Sequence, residues 1–143
     1  MTPIFLLVLP LELAPTLNEY ANKKGWAKTK LAQAIDWRIM DAMRSWPAWG
    51  CGVIRGPKTK TGRPGKAVGG RKRIVHVTRH SSREPDELSA DVIGGKIAID
   101  RLVHANILRD DSREWCERKA SWQKAAPKDG RLVVEVFETG GGE

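Results

Sequence analysis

Residues 91–111 read DVIGGKIAIDRLVHANILRDD, and they decide how the second half of the chain folds. Apolar residues recur at helical spacing from about Val92 to Ala105, which predicts an amphipathic helix. Asp91 is the predicted N-cap and Asn106 the predicted left-handed C-cap. The predicted buried face consists of Ile93, Ile97, Val103 and Ala105. Gly94 and Gly95 each lower the stability of a helix by roughly 1 kcal/mol relative to alanine. Their presence is explained if a backbone or a ligand approaches closely there.

Strand and helix patterns alternate on both sides of this segment. The predicted strands are 4–13, 73–79, about 114–123 and 131–138. A first helix of about five turns is predicted over 26–46, ended by Pro47. The remaining segments are predicted as a loop at 14–24, a polar loop at 81–90 and a hairpin turn at 125–130. The order β-α-β-α-β-β predicts one small α/β domain over 1–143, with a mixed sheet and two main helices.

The composition excludes several classes of protein. The chain has 143 residues, of which 41% are apolar and 29% charged, a balance typical of a soluble globular domain. No apolar run reaches the ~20 residues of a membrane-spanning helix, and the apolar start is expected to be a strand rather than a signal peptide. Two cysteines are too few for a disulfide framework, so a reducing cytoplasm is the expected compartment.

The net charge of +8 is unevenly distributed. Eleven basic residues and no acidic residue lie between Ala42 and Arg83, and the rest of the chain carries a net charge of −3. A flexible basic arm is predicted at about 50–72, because this stretch is rich in glycine and its positive charges repel one another. This uneven distribution of positive charge predicts that the chain binds a polyanion. The alternative is a basic loop that only improves solubility. The candidate nucleic-acid contacts are Arg55, Lys58, Lys60, Arg63, Lys66, Arg71, Lys72, Arg73 and Arg79.

The carboxylates around the second helix are the candidates for chemistry. Asp91 precedes this helix, Lys96 lies within it, and Asp110 and Asp111 follow it. A few carboxylates can hold Mg²⁺, and a nearby lysine can neutralise charge on a phosphate. The alternative is structural, with Asp91 as a helix cap and the paired aspartates in a solvated turn.

The stretch from Lys96 to Asp111 also carries a family resemblance. Residues 96–102 (KIAIDRL) and 107–111 (ILRDD) resemble the RusA family of Holliday junction resolvases, whose pattern is Asp-x-Asp-Asn-Leu-x-Lys, then Asp-Ala-Leu, then an Asp-Asp pair. Leu9-Pro10, the segment 16–20 (TLNEY) and the final strand 130–136 (GRLVVEV) are similar to the family's first loop and last strand. The resemblance covers nearly the whole chain in the correct order.

The resemblance implies a RusA-like fold and a specific activity. The expected activity is that of a crossover junction endodeoxyribonuclease, a hydrolase of DNA recombination and repair. It would cut paired strands of a four-way junction as a homodimer, with Mg²⁺ or alternatively Mn²⁺. By the same resemblance, Asp91, Asp110 and Asp111 are metal-ligand candidates, with Asp91 and Asp111 also catalytic. Lys96 is the expected phosphate-facing lysine.

One departure from the family pattern leaves an alternative open. Before Lys96 the chain reads SADVIGG, so only Asp91 remains of the family's two aspartates, one residue further from the lysine. Asp86 or Glu87 could supply the missing carboxylate, or the chain could be a DNA-binding protein of the same fold that does not cleave. A basic RNA-binding protein is a third class, which leaves the match from Lys96 to Asp111 unexplained.

The distances set a condition for the site. The second helix is roughly 20 Å long, and the six residues from Asn106 to Asp111 span about 20 Å when extended. Asp111 can therefore return beside Asp91 only if the chain reverses directly at Asn106.

Overall fold

The computed structural model of the chain describes residues 3–44 and 72–138, which form a mixed four-stranded sheet and three α-helices. The strands are β1 (Phe5–Pro10), β2 (Arg73–Ser81), β3 (Cys116–Lys124) and β4 (Arg131–Glu138). The helices are α1 (Leu17–Ala21), α2 (Gly25–Arg44) and α3 (Lys96–His104). The predicted α/β class and mixed sheet are confirmed. The predicted arm at about 50–72 lies outside the described residues except for Lys72.

The order of the strands in the sheet is β1-β4-β2-β3. β4 reads RLVVEVFE and lies between β1 and β2, antiparallel to both. β3 reads CERKASWQK and pairs parallel with β2 at the edge of the sheet. The charged β3 suits an edge position, because an edge strand is exposed to solvent along one side.

The connection between the last two strands differs from the prediction. β3 and β4 are not a hairpin, because β2 lies between them in the sheet. The connecting segment contains a short 3₁₀-helix, Pro127–Asp129, and the Ala125 amide donates to the Ser81 carbonyl at 3.0 Å. The chain therefore crosses the end of β2 before it enters β4.

The segment predicted as a loop at 14–24 contains α1. A capping box starts this helix: the Thr16 hydroxyl accepts from the Glu19 amide, and the Glu19 carboxylate accepts from the Thr16 amide at 3.0 Å. The predicted first strand is also shorter, because Pro10 ends β1 and a 3₁₀-helix, Leu11–Leu13, follows. The connection from β1 to α1 thus consists of this 3₁₀ turn and the short segment that ends at the N-cap Thr16.

The hydrophobic core lies between one face of the sheet and the helices. α2 contacts β1 and α3 packs on α2, and an ion pair of Arg101 with Asp36 joins the two helices, with nitrogen–oxygen distances of 2.8 and 2.7 Å. The largest fully buried side chains include Phe5, Leu7, Leu9, Ile35, Ile39, Ile93, Ile99 and Leu102. No helix within residues 3–44 and 72–138 is long and apolar enough to cross a membrane.

A wide five-residue turn, Asp91–Gly95, leads into α3 and replaces the predicted first helical turn. Gly94 has a positive φ of 115°, and a Cβ atom there would lie 2.6 Å from the Ala14 carbonyl oxygen. At Gly95 a Cβ atom would lie 2.4 Å from the Ala90 carbonyl oxygen. The predicted close approach at these glycines is therefore confirmed, and the partner is backbone.

Replacing Gly94 by alanine is expected to destabilise the fold by about 1–3 kcal/mol, since the side chain would meet both an unfavourable φ and a carbonyl oxygen. The free energy of unfolding from a urea titration measures the effect. Gly25→Ala is the matched control, because nothing lies within 4 Å of a Cβ atom there. Equal unfolding free energies for the two variants would contradict the role assigned to Gly94.

Candidate functional site

The site is built around Asp91, the first residue of the wide turn. Asp91 is not the N-cap that the sequence predicts, because Ala90 occupies the residue before the turn and no side chain caps it. The Asp91 carboxylate instead faces the guanidinium of Arg118 on β3. Both carboxylate oxygens accept from the same nitrogen, Nη1, at 2.9 and 2.8 Å. Asp91 is thereby turned toward the sheet rather than along the helix axis.

The chain reverses at Asn106, as the return of Asp111 requires. Asn106 adopts a left-handed conformation with φ of 61°, which confirms the predicted C-cap geometry. The amides of Ile107 and Leu108 donate to the Leu102 carbonyl at 2.9 and 3.2 Å, and both side chains are buried. These two anchors direct the chain back along α3 toward the start of the wide turn.

The reversal brings Asp111 to the same guanidinium as Asp91. Arg118 Nη2 donates to the Asp111 carbonyl oxygen at 3.0 Å and lies 3.9 Å from a carboxylate oxygen of Asp111. Asp91 and Asp111, which are 20 residues apart in sequence, are thus connected through one side chain. The condition set by the sequence, a reversal of the chain at Asn106, is met. The role of the two aspartates as metal ligands stays a prediction.

Asp110, the weaker metal-ligand candidate, has a local contact. One of its carboxylate oxygens accepts from the Asp111 amide at 2.8 Å, which shapes the loop that carries Asp111. Its assignment as a metal ligand stays a prediction.

Lys96 and Asp100 complete the site on the first turns of α3. They are four residues apart on one helix face, and the Lys96 ammonium lies 3.9 Å from the Asp100 carboxylate. Burial raises the pKa of Asp100, and the carboxylates of Asp111 and Asp91 also raise it, while Lys96 and Arg118 lower it. Asp100 therefore shares its electrostatic environment with both aspartates. We call Asp91, Asp100 and Asp111 the carboxylate cluster.

Sequence analysis did not select two members of this site. Asp100 could have been found from its spacing, since a residue four positions after Lys96 shares its helix face. The sequence signal for Arg118 was weaker. Arg118 is a charged residue in a strand, two positions after the buried Cys116 and on the same face of the sheet. Asp86 and Glu87, the suggested replacements for the missing family carboxylate, line a different groove together with Arg79 and Glu19.

An open groove of about 630 Å³ lies beside the carboxylate cluster. It contains both positive and negative side chains next to Asp111. Its lining consists of Lys72, Asp111, Ser112, Arg113, Cys116, Glu117 and Arg118. Burial raises the pKa of the Cys116 thiol, so this side chain stays protonated at neutral pH and is a poor nucleophile. The three cations of the lining face two carboxylates, and one of them, Arg118, is already paired with Asp91.

The chain has no match among protein-family models or among curated proteins. The chemistry of the site therefore has to be judged from its own residues. Within the described ranges, no group of three or more His, Cys, Asp or Glu side chains is placed to hold a metal ion. Mg²⁺ takes one or two carboxylates from a protein and keeps several waters. Asp91 and Asp111 both lie at the guanidinium of Arg118, and their assignment as ligands of such an ion stays a prediction.

The candidate nucleic-acid contacts fall into three groups. Lys72 lines the groove beside Asp111. Arg73 is 6% exposed, pairs with Glu138 at 3.0 Å and donates to the Ile107 carbonyl, so it holds the reversed chain in place. Arg79 donates to the carbonyl oxygens of Ala14 and Ile93 at 3.0 and 2.9 Å. The third group, Arg55, Lys58, Lys60, Arg63, Lys66 and Arg71, lies outside the described residues.

These contacts describe how far the two arginines are available to a ligand. Burial lowers the pKa of both Arg73 and Arg79, which is the consequence of placing these guanidinium groups in the fold. Arg73 is buried, whereas Arg79 is partly buried and also lines the groove with Glu19. Both stay predicted DNA contacts, together with Lys72.

Proposed function

We propose that this chain is a RusA-like crossover junction endodeoxyribonuclease, which uses Mg²⁺ to cut paired strands of a four-way DNA junction. The observation that supports the proposal is the reversal at Asn106, which sets Asp91 and Asp111 against one cation. Lys96, the lysine expected from the family pattern, lies on the adjacent helix and pairs with Asp100. The open groove next to Asp111, which contains Lys72 and Arg113, offers a place for the DNA backbone.

Each residue has a defined role in this proposal. Asp91 and Asp111 would hold the ion, which when bound activates a water and offsets negative charge on the phosphate. Lys96 is 42% exposed, so its ammonium can reach a phosphate oxygen and stabilise charge that develops there. Asp100 holds this ammonium near the site. Lys72 and Arg113 would position the DNA backbone without reading its sequence.

A specific observation favours a second candidate function. The Arg118 guanidinium contacts both oxygens of Asp91, which satisfies the carboxylate without any divalent ion. A DNA-binding protein of this fold that does not cleave would need no more than this ion pair to keep the carboxylates neutralised. Such a protein would still recognise branched DNA through its basic surfaces.

One experiment separates the two candidates. Purified protein is incubated with an end-labelled four-way junction, with Mg²⁺, with Mn²⁺ or with a chelator, and a linear duplex of the same arm sequence is the control substrate. The nuclease proposal expects paired nicks in the junction with a divalent ion and an intact duplex. A junction that is bound but never cut under either ion would overturn the proposal in favour of the non-cleaving protein.

We also propose that the protein is a homodimer, since symmetric cuts need two sites related by a two-fold axis. Trp26 and Trp37 on α2 are 65% and 64% exposed and lie three helical turns apart on one face. Light scattering at micromolar concentration is expected to give twice the chain mass of 15.9 kDa. Changing both tryptophans to serine should shift the mass toward one chain. A wild-type mass of one chain would contradict the dimer and leave these tryptophans as surface residues.

A further inference from the structure

We propose that Arg118 is a positioning residue that holds Asp91 and Asp111 together and competes with a divalent cation for them. This inference rests on the proposed function, because it concerns the same carboxylates. It goes beyond that function in coupling the binding of the ion to the release of an internal side chain.

The contacts of Arg118 support its positioning role. Nη1 contacts both oxygens of Asp91 and Nη2 contacts the carbonyl oxygen of Asp111, so one side chain joins the wide turn to the loop after α3. Arg118 is carried by β3, where it lies opposite Val75 of β2. Its planar guanidinium presents two nitrogens at fixed geometry, which suits a bridge between two separate segments.

Electrostatics gives the bridge a second role. Burial is the main cause of the raised pKa of Asp100, and the negative charges of Asp111 and Asp91 raise it further, so the three carboxylates repel one another. Arg118 and Lys96 are the positive groups that act on Asp100. A divalent cation could offset the same repulsion, so Arg118 and the ion would have the same electrostatic effect on these carboxylates.

The geometry sets Arg118 and the ion in competition for Asp91. Mg²⁺ binds carboxylate oxygens directly at about 2.0–2.1 Å. Both oxygens of Asp91 accept from Arg118 Nη1, so an ion at either oxygen would lie close to this positive charge, and release of the guanidinium would strengthen ion binding. The Arg118 side chain is 28% exposed and lines the open groove with Lys72 and Arg113, which gives it a place to move. A DNA phosphate in this groove would attract the released guanidinium, which would couple DNA binding to ion binding.

The test compares Arg118→Gln with Arg101→Gln, without DNA. Arg101 is a matched control because it also contacts both carboxylate oxygens of one aspartate, Asp36, and is 22% exposed, but this partner lies outside the carboxylate cluster. The melting temperature is measured with and without Mg²⁺, and the Kd for Mn²⁺ is measured by calorimetric titration. Both variants are expected to melt below the wild type. Mg²⁺ should raise the melting temperature of Arg118→Gln toward that of the wild type and leave Arg101→Gln unchanged.

The Mn²⁺ titration gives the second readout. The Kd is expected to be about tenfold lower for Arg118→Gln than for the wild type, a difference of about 1.4 kcal/mol. Arg118→Lys keeps the charge but cannot bridge both segments, so its Kd should lie between the two; it also serves if Arg118→Gln does not fold. Adding Asp111→Asn to Arg118→Gln should remove the gain.

Two results would overturn the proposal. The first is an equal change in the melting temperatures of Arg118→Gln and Arg101→Gln on addition of Mg²⁺. The second is an Mn²⁺ affinity of the Arg118 variants that does not exceed that of the wild type. Because no DNA is present, these results are independent of cleavage. A gain in ion affinity in a protein that never cuts a junction would keep the role of Arg118 and remove the nuclease.

Discussion

Asp111→Asn is expected to abolish junction cleavage, by on the order of 100-fold or more, while junction affinity stays equal or increases. Asparagine keeps the size of the side chain and the backbone carbonyl that accepts from Arg118, but it removes the charge that would hold an ion. The Asp111 side chain is 53% exposed, so its loss should change stability by no more than about 0.5 kcal/mol. Cleavage rates and junction affinities are measured on the same labelled substrate.

Two further variants make this result specific. Glu114→Gln removes an exposed acid from the same loop and should cut like the wild type. Asp91→Asn should lose cleavage as Asp111→Asn does, with an additional loss of stability because Arg118 loses its principal partner. If Asp91→Asn still cleaves, its carboxylate is not an ion ligand, and Asp86, Glu87 or Asp100 must supply one. An Asp111→Asn protein that cuts at the wild-type rate would contradict the assignment of the site.

Neutralising Lys58, Lys60, Arg63 and Lys66 together is expected to flatten the salt dependence of DNA binding. Each phosphate contact that is lost reduces the slope of log affinity against log salt by about 0.9, so four contacts account for about 3–4 units. Binding to a four-way junction is measured at several salt concentrations. A control that changes four other lysines to glutamine, Lys23, Lys24, Lys124 and Lys128, should lose much less of the slope. An unchanged slope in the first variant would exclude the basic arm as a DNA contact.

Most elements could be predicted because their signals are local. β4 begins at the predicted residue, Arg131, and α2 begins one residue before its predicted start, whereas the predicted end of α2 at 46 lies outside the described residues. The position of β4 could not be predicted in this way. A six-residue connection with Pro127 and Gly130 is typical of a hairpin, but the choice of neighbouring strand depends on tertiary packing, which no local pattern contains. The short α1 was predictable in principle, since Thr16 and Glu19 have the spacing of a capping box.

The site was predictable to the extent that it depends on one turn. Asn106 is a residue type that tolerates a positive φ, and its place after a helical pattern predicted the reversal that returns Asp111 to Asp91. The partner of Asp91 depends on tertiary contacts instead. Arg118 lies 27 residues away on an edge strand, and only the pairing of β3 with β2 directs its side chain toward the wide turn. The contacts of Arg73 and Arg79 have the same cause, because charge alone does not show whether an arginine also binds carbonyl oxygens within the fold.

β3 carries Arg118, so the charge that faces the carboxylate cluster depends on the register of β3 against β2. Successive side chains of a strand point to opposite faces, so a slip of β3 by one residue along β2 would turn Arg118 away and present Glu117 or Lys119 opposite Val75. Glu117 there would add a negative charge beside Asp91, whereas Lys119 would keep a positive charge without the two-nitrogen contact. The pairing of β3 with β2, which involves no residue of the carboxylate cluster, therefore decides which charge the cluster meets.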